Sequence, residues 1–125
     1  MKRLLKSLQL FFLLNLTCLP NVSAQQSANV AGRWDIDIQF VHGSGHYTAF
    51  FEQEGEKLSG TYRGQFIEGG LVGSIQGNHI EFRGDLRIEG SHLFYNYTGT
   101  VEGNTMSGTV NMGEYGEARW TARKH

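Results

Sequence analysis

Apolar and polar residues alternate strictly along the segment that begins after Gly32. Within residues 33–40, apolar side chains occupy every second position from Trp34 to Phe40, and polar side chains lie between them. A period of two is typical of a β-strand with one face in the core and the other in water. The alternation returns through to the end of the chain, so the sequence predicts an all-β domain.

Eight such segments follow one another, separated by short stretches rich in glycine, asparagine and glutamate. Glycine and asparagine are typical of turns because they tolerate positive φ angles. The predicted strands are Gly32–Val41, His46–Gln53, Lys57–Gly64, Leu71–Gln76, His79–Ile88, His92–Glu102, Thr105–Met112 and Glu117–Lys124. Short connections favour an antiparallel meander, and eight half-apolar strands close into a single up-and-down β-barrel without exposed edges. An open sandwich is the alternative, although the tight turns argue against it.

The same alternation predicts which side chains point into the barrel, and none of them is charged. They are Trp34, Ile36, Ile38, Phe40, Tyr47, Ala49, Phe51, Gln53, Leu58, Gly60, Tyr62, Leu71, Gly73, Ile75, Ile80, Phe82, Leu86, Ile88, Leu93, Tyr95, Tyr97, Val101, Met106, Val110, Met112, Ala118, Trp120 and Ala122. The candidate ligand-binding residues of the interior and mouth are Tyr47, Phe51, Tyr62, Tyr95, Tyr97 and Trp120. A buried phenol needs a hydrogen-bond partner, and either a ligand or the protein itself can supply one.

Residues 1–24 have the pattern of a cleaved secretory signal peptide. Basic residues at 2, 3 and 6 precede an interrupted apolar stretch, and Val22–Ala24 supplies the small residues of a cleavage site after Ala24. The apolar stretch is too short for a membrane span. Lipid attachment at Cys18 is the alternative, but Asn15–Thr17 lacks the residues that usually precede such a cysteine. We therefore expect a periplasmic or secreted protein with an N-terminal arm at 25–31 and a barrel at 32–125.

Composition excludes several classes of function for the mature chain. The only cysteine lies in the predicted signal peptide, so disulfides, thiol nucleophiles and thiolate metal ligands are not expected. Eight basic and twelve acidic residues remain, with both signs mixed along the outer faces. This distribution does not favour nucleic acid as a partner, and no basic amphipathic helix favours a membrane surface.

No arrangement of residues indicates catalysis, a cofactor or a metal site. The five histidines lack the spacing of a compact metal motif. Asp35 and Asp37 point outward from one strand, whereas glycosidase carboxylates face each other across a cleft. Ser44, within His42–His46, lacks the strand-to-helix turn of a nucleophile elbow. The sequence therefore predicts a non-catalytic protein without a cofactor.

Four apolar residues are candidates for a surface that contacts a protein partner. Phe50 and Phe94 fall on the outer face of their strands, and Phe66 and Ile67 occupy the longest predicted loop, Gln65–Gly70. If they group together, they form a patch suited to a partner or a dimer. If they are scattered, they need no functional explanation.

The start of the predicted barrel resembles the calycin group, which includes lipocalins and avidins. The resemblance rests on Gly32-x-Trp34 at the first strand, and Leu58–Tyr62 is similar to the third strand of avidins. In the calycin group this tryptophan closes the barrel floor beside a basic residue of the last strand. The resemblance therefore implies a structural floor made of Trp34 with Arg119 or Arg123.

The mature chain also resembles β-barrel segments that follow the catalytic domain in some secreted amidohydrolases. The likeness is clearest at Gly103–Val110 and Ala118–Ala122. Biotin binding is not expected, because Asp35 and Ile36 replace the polar ligand contact of avidins and the further ligand-stacking tryptophans are missing.

Three functional hypotheses remain at this point. The first is a non-catalytic exported binding module, for a small apolar ligand in the barrel or for a secreted or periplasmic protein bound through its loops. One version of it is an inhibitor of a secreted hydrolase that inserts the arm Gln25–Ala31 into an enzyme cleft. The second is a small cyclase or isomerase with a Tyr-lined apolar pocket. The third is a solid accessory or assembly barrel.

Overall fold

The structure, a computed structural model, confirms the predicted all-β architecture and describes residues 26–65, 67–88 and 90–125. The predicted signal peptide with Cys18, and also Gln25 and Phe66, lie outside the described residues. The strands are β1 (Gly32–Phe40), β2 (Gly43–Glu54), β3 (Lys57–Arg63), β4 (Glu68–Gln76), β5 (His79–Ile88), β6 (Ser91–Glu102), β7 (Thr105–Asn111) and β8 (Glu117–Lys124). Each strand pairs antiparallel with the next, and β8 pairs with β1 to close an eight-stranded up-and-down barrel.

The core follows the predicted alternation along every strand. Aromatic and aliphatic side chains fill the interior. Among the described residues, the only polar groups on buried side chains are the tyrosine hydroxyls and tryptophan indoles, and no buried side chain is charged. Gln53, which was predicted to point inward, is half-buried at one end of the barrel. The side chain of Ile88 lies outside the described part.

One end of the barrel, here called the arm end, holds three two-residue turns between consecutive strands. The turns begin at Gly55, Gly77 and Gly103, whose φ angles are 63°, 60° and 62°. Glycine adopts this left-handed conformation without the steric cost that a Cβ atom adds. The start of β1 and the end of β8 lie at the same end.

The N-terminal arm docks on the arm end of the barrel. This docking was not predicted from the sequence. The Val30 side chain is fully buried. The backbone N–H of Ala28 donates to the carbonyl of Gly77 at 2.8 Å, and the amide of Gln53 accepts from Val30 N–H at 2.7 Å while donating to the Ala28 carbonyl at 2.9 Å. The indole of Trp34 donates to the Val30 carbonyl at 2.9 Å. The described part of the arm is therefore docked on the barrel.

The opposite end, here called the loop end, is more compact than predicted. β2 begins at Gly43 instead of His46, and β4 begins at Glu68 instead of Leu71. The glycines that indicated turns belong to strands that approach their neighbours closely. A Cβ on Gly69 would lie 1.7 Å from the Asp85 carbonyl oxygen, and a Cβ on Gly45 would lie 2.9 Å from the Phe40 ring. Close packing, not turn formation, therefore explains these two residues.

The basic residue beside Trp34 is Lys124, in place of the expected Arg119 or Arg123. Trp34 pairs with Lys124 across β1 and β8, and the Lys124 Nζ atom lies 5.9 Å from the centroid of the Trp34 ring, within range of a cation–π interaction. Arg119 and Arg123 are exposed on the outer face. The expected basic partner exists, but it comes from another position of β8.

We predict that Val30→Ala destabilises the protein and that Val41→Ala does not. Val30 is 0% exposed and Val41 is 90% exposed, so the same substitution removes buried volume in one case only. Loss of two buried methyl groups and the resulting cavity costs about 1–3 kcal/mol, whereas an exposed change costs about 0.5 kcal/mol or less. Urea unfolding of both variants measures the difference. Equal unfolding midpoints would contradict a docked arm.

Candidate functional site

The four tyrosines predicted for the interior meet near the loop end, and we call Tyr47, Tyr62, Tyr95 and Tyr97 the tyrosine cluster. The hydroxyls of Tyr62 and Tyr97 hydrogen-bond to each other. The Tyr47 ring stacks on the Tyr62 ring with centroids 5.3 Å apart, and the Tyr95 ring packs edge-on to Tyr47 at 5.8 Å. Residues from β2, β3 and β6 therefore bring four phenols together.

Two glycines make room for these rings. A Cβ on Gly84 of β5 would lie 2.7 Å from the Tyr62 ring, and a Cβ on Gly64 would lie 3.0 Å from the Tyr47 ring. Interiors of small barrels leave little free volume. A large ring on one strand therefore requires a missing side chain on a facing strand.

Phe51 and Trp120, the other two predicted ligand-binding residues, lie deeper and serve as packing. The Phe82 ring stacks on Tyr97 at 4.4 Å, and Phe51 and Trp120 pack edge-on against Phe82 at 5.1 and 5.7 Å. Both side chains are almost fully buried. The aromatic packing is continuous from the tyrosine cluster to these residues, so a ligand would have to displace a ring to reach them.

Burial raises the pKa values of three phenols of the cluster. Burial raises the pKa of Tyr62 above its ordinary value, and the neighbouring Tyr97 phenol adds to the effect. The pKa of Tyr97 is also raised, chiefly by burial. The pKa of Tyr47 is raised as well, mainly by burial and to a smaller extent by a hydrogen bond with the Tyr95 phenol. Neutral phenols donate one hydrogen bond each and accept others, so near pH 7 the cluster presents uncharged donors.

Five half-buried apolar side chains lie toward the loop end of the barrel. We call Phe40, Tyr47, Ile67, Leu93 and Ala118 the mouth; each packs against the core while keeping part of its surface in solvent. They come from β1, β2, the β3–β4 connection, β6 and β8. The two ends of the barrel therefore differ, because the arm covers the apolar side chains of the arm end.

An outer groove of about 810 Å³ crosses β2 from β1 to the end of β3 and reaches the mouth. It shares Tyr47 and Ile67 with the mouth, and polar residues such as Asp37, His46 and Arg63 form the rest of its lining. The imidazole of His46 contacts the carboxylate of Asp37. On the β1–β2 side, the apolar mouth therefore borders a groove lined by charged and polar side chains.

Of the four residues predicted for an outer apolar patch, Phe66 lies outside the described residues, and the other three do not lie together. Phe50 is on β2 beneath Arg63, with 5.6 Å from the guanidinium carbon to the ring centroid, and Phe94 is on β6 beneath Arg83 at 4.6 Å. Three strands separate them on either side of the closed barrel. Ile67 packs against the core at the mouth. Sequence parity places each side chain on a face, but it does not show which outward residues meet around a barrel.

The histidines of the strands contact carboxylates on the outer surface. His79 lies 3.1 Å from Glu81, and His92 lies 3.1 Å from Asp85. Within the described ranges, no group of three or more His, Cys, Asp or Glu side chains is arranged to hold a metal ion. In the same part of the chain, no helix has the length and hydropathy needed to cross a bilayer.

Comparisons with models of protein families, with curated proteins and with solved structures yield no match. The closed antiparallel barrel is consistent with a calycin-like fold. The finer resemblances to avidins, lipocalins and amidohydrolase-associated barrels stay predictions from the sequence.

We predict that Tyr62 and Tyr97 ionise only when the barrel unfolds. Their folded-state pKa values are raised above about 10, the value expected in the unfolded chain. Their contribution to stability is therefore complete below pH 10 and is lost as pH rises above it. Tyrosinate absorbance and near-ultraviolet circular dichroism, followed together from pH 8 to 13, should change in one step for these residues. Complete tyrosine ionisation in a folded barrel would contradict the burial of the cluster.

We also predict that Gly84→Ala destabilises the barrel and that Gly70→Ala does not. The added methyl group at Gly84 meets the Tyr62 ring, whereas a Cβ at Gly70 meets no atom within 4 Å. Overpacking of this kind costs about 1–3 kcal/mol. Thermal unfolding of the two variants measures the loss of stability relative to the native protein. A Gly84→Ala protein with the native melting temperature would contradict tight packing of the Tyr62 ring on Gly84.

Proposed function

We propose that this protein is an exported, non-catalytic binding module that binds a small apolar molecule at the mouth. The observation that carries the proposal is the difference between the two ends. The arm buries the apolar side chains of one end, whereas Phe40, Ile67 and Leu93 at the other end are half-exposed. Concave apolar surface with a few convergent polar groups is typical of small-molecule sites.

The mouth is a better candidate than the barrel centre for such a molecule. Tyr62 and Tyr97 are 0% and 1% exposed, and aromatic rings occupy the space beneath them. A ligand at the mouth would instead contact Tyr47 and the other apolar side chains of the mouth. The alternative of a cyclase or isomerase that uses Tyr62 or Tyr97 would require these phenols to become accessible.

A protein partner at the loop end is the second candidate. Val41 is exposed in the turn that follows Phe40 of the mouth. A larger partner would contact both residues and cover the rim. The inhibitor version that relies on the arm has less support, because residues 28 and 30 are held by the barrel.

Binding of the neutral dye N-phenylnaphthylamine, whose fluorescence increases in apolar surroundings, tests the proposal. We expect a saturable increase with the native protein and a loss of about tenfold or more in affinity for Leu93→Glu, because a carboxylate in the mouth must be desolvated on binding. Val72→Glu is the matched control, since Val72 is exposed on the outer face of β4. Circular dichroism verifies folding of both variants. No binding, or an equal effect of both substitutions, would refute the mouth as the site.

A further inference from the structure

The outer groove that crosses β2 has an apolar floor at the Tyr47 ring. A Cβ on Gly45 would lie 3.2 Å from one edge of this ring, and a Cβ on Gly64 would lie 3.0 Å from the opposite edge. Both glycines line the groove together with Tyr47. Since neither has a side chain, both edges of the ring are left uncovered beside the groove. The half-buried Ile67, whose carbonyl accepts from Gly64 N–H at 2.7 Å, completes the apolar part.

The acidic side chains of the groove lie on β1, and each already has a basic partner. The Asp35 carboxylate lies 3.5 Å from the Arg33 Nε atom and 3.4 Å from the His125 Nδ1 atom. The Asp37 carboxylate contacts the imidazole of His46. Both carboxylates are therefore engaged within the protein.

The guanidinium of Arg63, on the β3 side of the groove, has no such partner. In the parts of the chain that the structure describes, no carboxylate lies within 4.0 Å of it, although Glu68 is its register partner on β4. It lies 5.6 Å from the centroid of the Phe50 ring, which is not a conventional hydrogen-bond acceptor. Its N–H donors therefore keep their capacity to bind an anion. Thr48, its register partner on β2, adds a hydroxyl group to the same part of the groove.

The strand register separates the two signs of charge across the groove. Asp35 pairs with Thr48, and Thr48 pairs with Arg63, so the three residues form one row across β1, β2 and β3. Neighbouring strands are about 4.8 Å apart, which places the two ends of this row about 10 Å apart. Salt screens exposed charges beyond about 8 Å at physiological ionic strength. An anion in contact with Arg63 is therefore largely screened from the Asp35 carboxylate.

We propose that the outer groove binds a small organic acid, whose carboxylate contacts Arg63 and Thr48 and whose apolar body packs on Tyr47 and Ile67. A guanidinium matches a planar carboxylate because it offers two parallel N–H donors. The volume of about 810 Å³ falls within the range of small-molecule sites. The inference goes beyond the proposed function, since Arg63 and Thr48 lie outside the mouth and the contact is ionic.

Three compounds with the same aromatic body separate the contributions of charge and of apolar contact. Phenylacetate has a carboxylate, phenylacetamide is its uncharged analogue, and phenethylamine carries the opposite charge. Titrations followed by nuclear magnetic resonance through the backbone amides of Ser44, Thr48 and Gln65, which line the groove, give each affinity. We expect phenylacetate to bind about three- to tenfold more tightly than phenylacetamide, because one exposed, charge-assisted contact distinguishes them. Phenethylamine should bind most weakly.

Ionic strength gives an independent measure of the same contact. Raising it from about 0.01 to 0.15 M shortens the screening length from about 30 to 8 Å. The affinity for phenylacetate should then fall, whereas the affinity for phenylacetamide should stay the same. An affinity for phenylacetate that does not change with salt would contradict an ionic contact at the surface.

The variant Arg63→Gln should lose the preference for phenylacetate over phenylacetamide while still binding phenylacetamide, because the apolar contacts remain. Arg83→Gln is the matched control, since Arg83 also lies over an aromatic ring, that of Phe94 at 4.6 Å, on a different part of the outer face. Circular dichroism verifies that both variants fold. Equal affinities of the native protein for the acid and the amide, tighter binding of phenethylamine, or equal effects of the two substitutions would overturn the inference.

The dye and the acid test different sites, so the two proposals can fail separately. If N-phenylnaphthylamine binds and phenylacetate does not, only this inference fails. If phenylacetate binds with the expected preference and the dye does not bind, only the proposed function fails. If neither binds, both are wrong.

Discussion

Antiparallel pairing of β1 with β8 closes the sheet into a barrel and so limits the space available to every interior side chain. The pairing runs from Trp34 opposite Lys124 to Gln39 opposite Arg119. Once eight strands close, the interior is just wide enough for side chains to fill it. Every inward residue must then fit those of the facing strands, and no edge strand remains to relieve a misfit.

The chain meets this constraint by placing glycine opposite its largest rings. Gly99 pairs with Gly108, and a Cβ on Gly99 would lie 2.8 Å from the Trp120 ring. The Trp120 indole then reaches the carbonyls of Thr98 and Thr109, at 3.1 and 3.0 Å, so its only donor is satisfied. Thr98-Gly99-Thr100 of β6 and Ser107-Gly108-Thr109 of β7 share a small-Gly-Thr sequence, and the close approach of the two strands at these glycines explains it.

The fold and the inward set of residues were predictable from the sequence, because a period of two directly reports which face of a strand is buried. The arm at 25–31 was predicted, but its docking on the barrel was not, since Val30 precedes the first alternating segment and its partner Gln53 is polar. The mouth was predicted only in part. Tyr47 was assigned to it, but Ile67 was assigned to an outer patch, because its position depends on how the β3–β4 connection folds over the barrel end. Lys124 has the same parity as the inward residues Trp120 and Ala122, so the alternation along β8 favours it over Arg119 and Arg123, which the resemblance implied.

Both described chain ends lie on the same side of the molecule. The arm crosses the barrel where β1 begins, and the final residue, His125, donates its backbone N–H to the carbonyl of Arg33 at 2.9 Å. The mouth is at the opposite pole. A fusion, a surface tether or a second domain attached directly at Gln26 or at His125 would therefore leave the mouth facing away from the attachment point, so that the orientation of the barrel on a support is set by its topology.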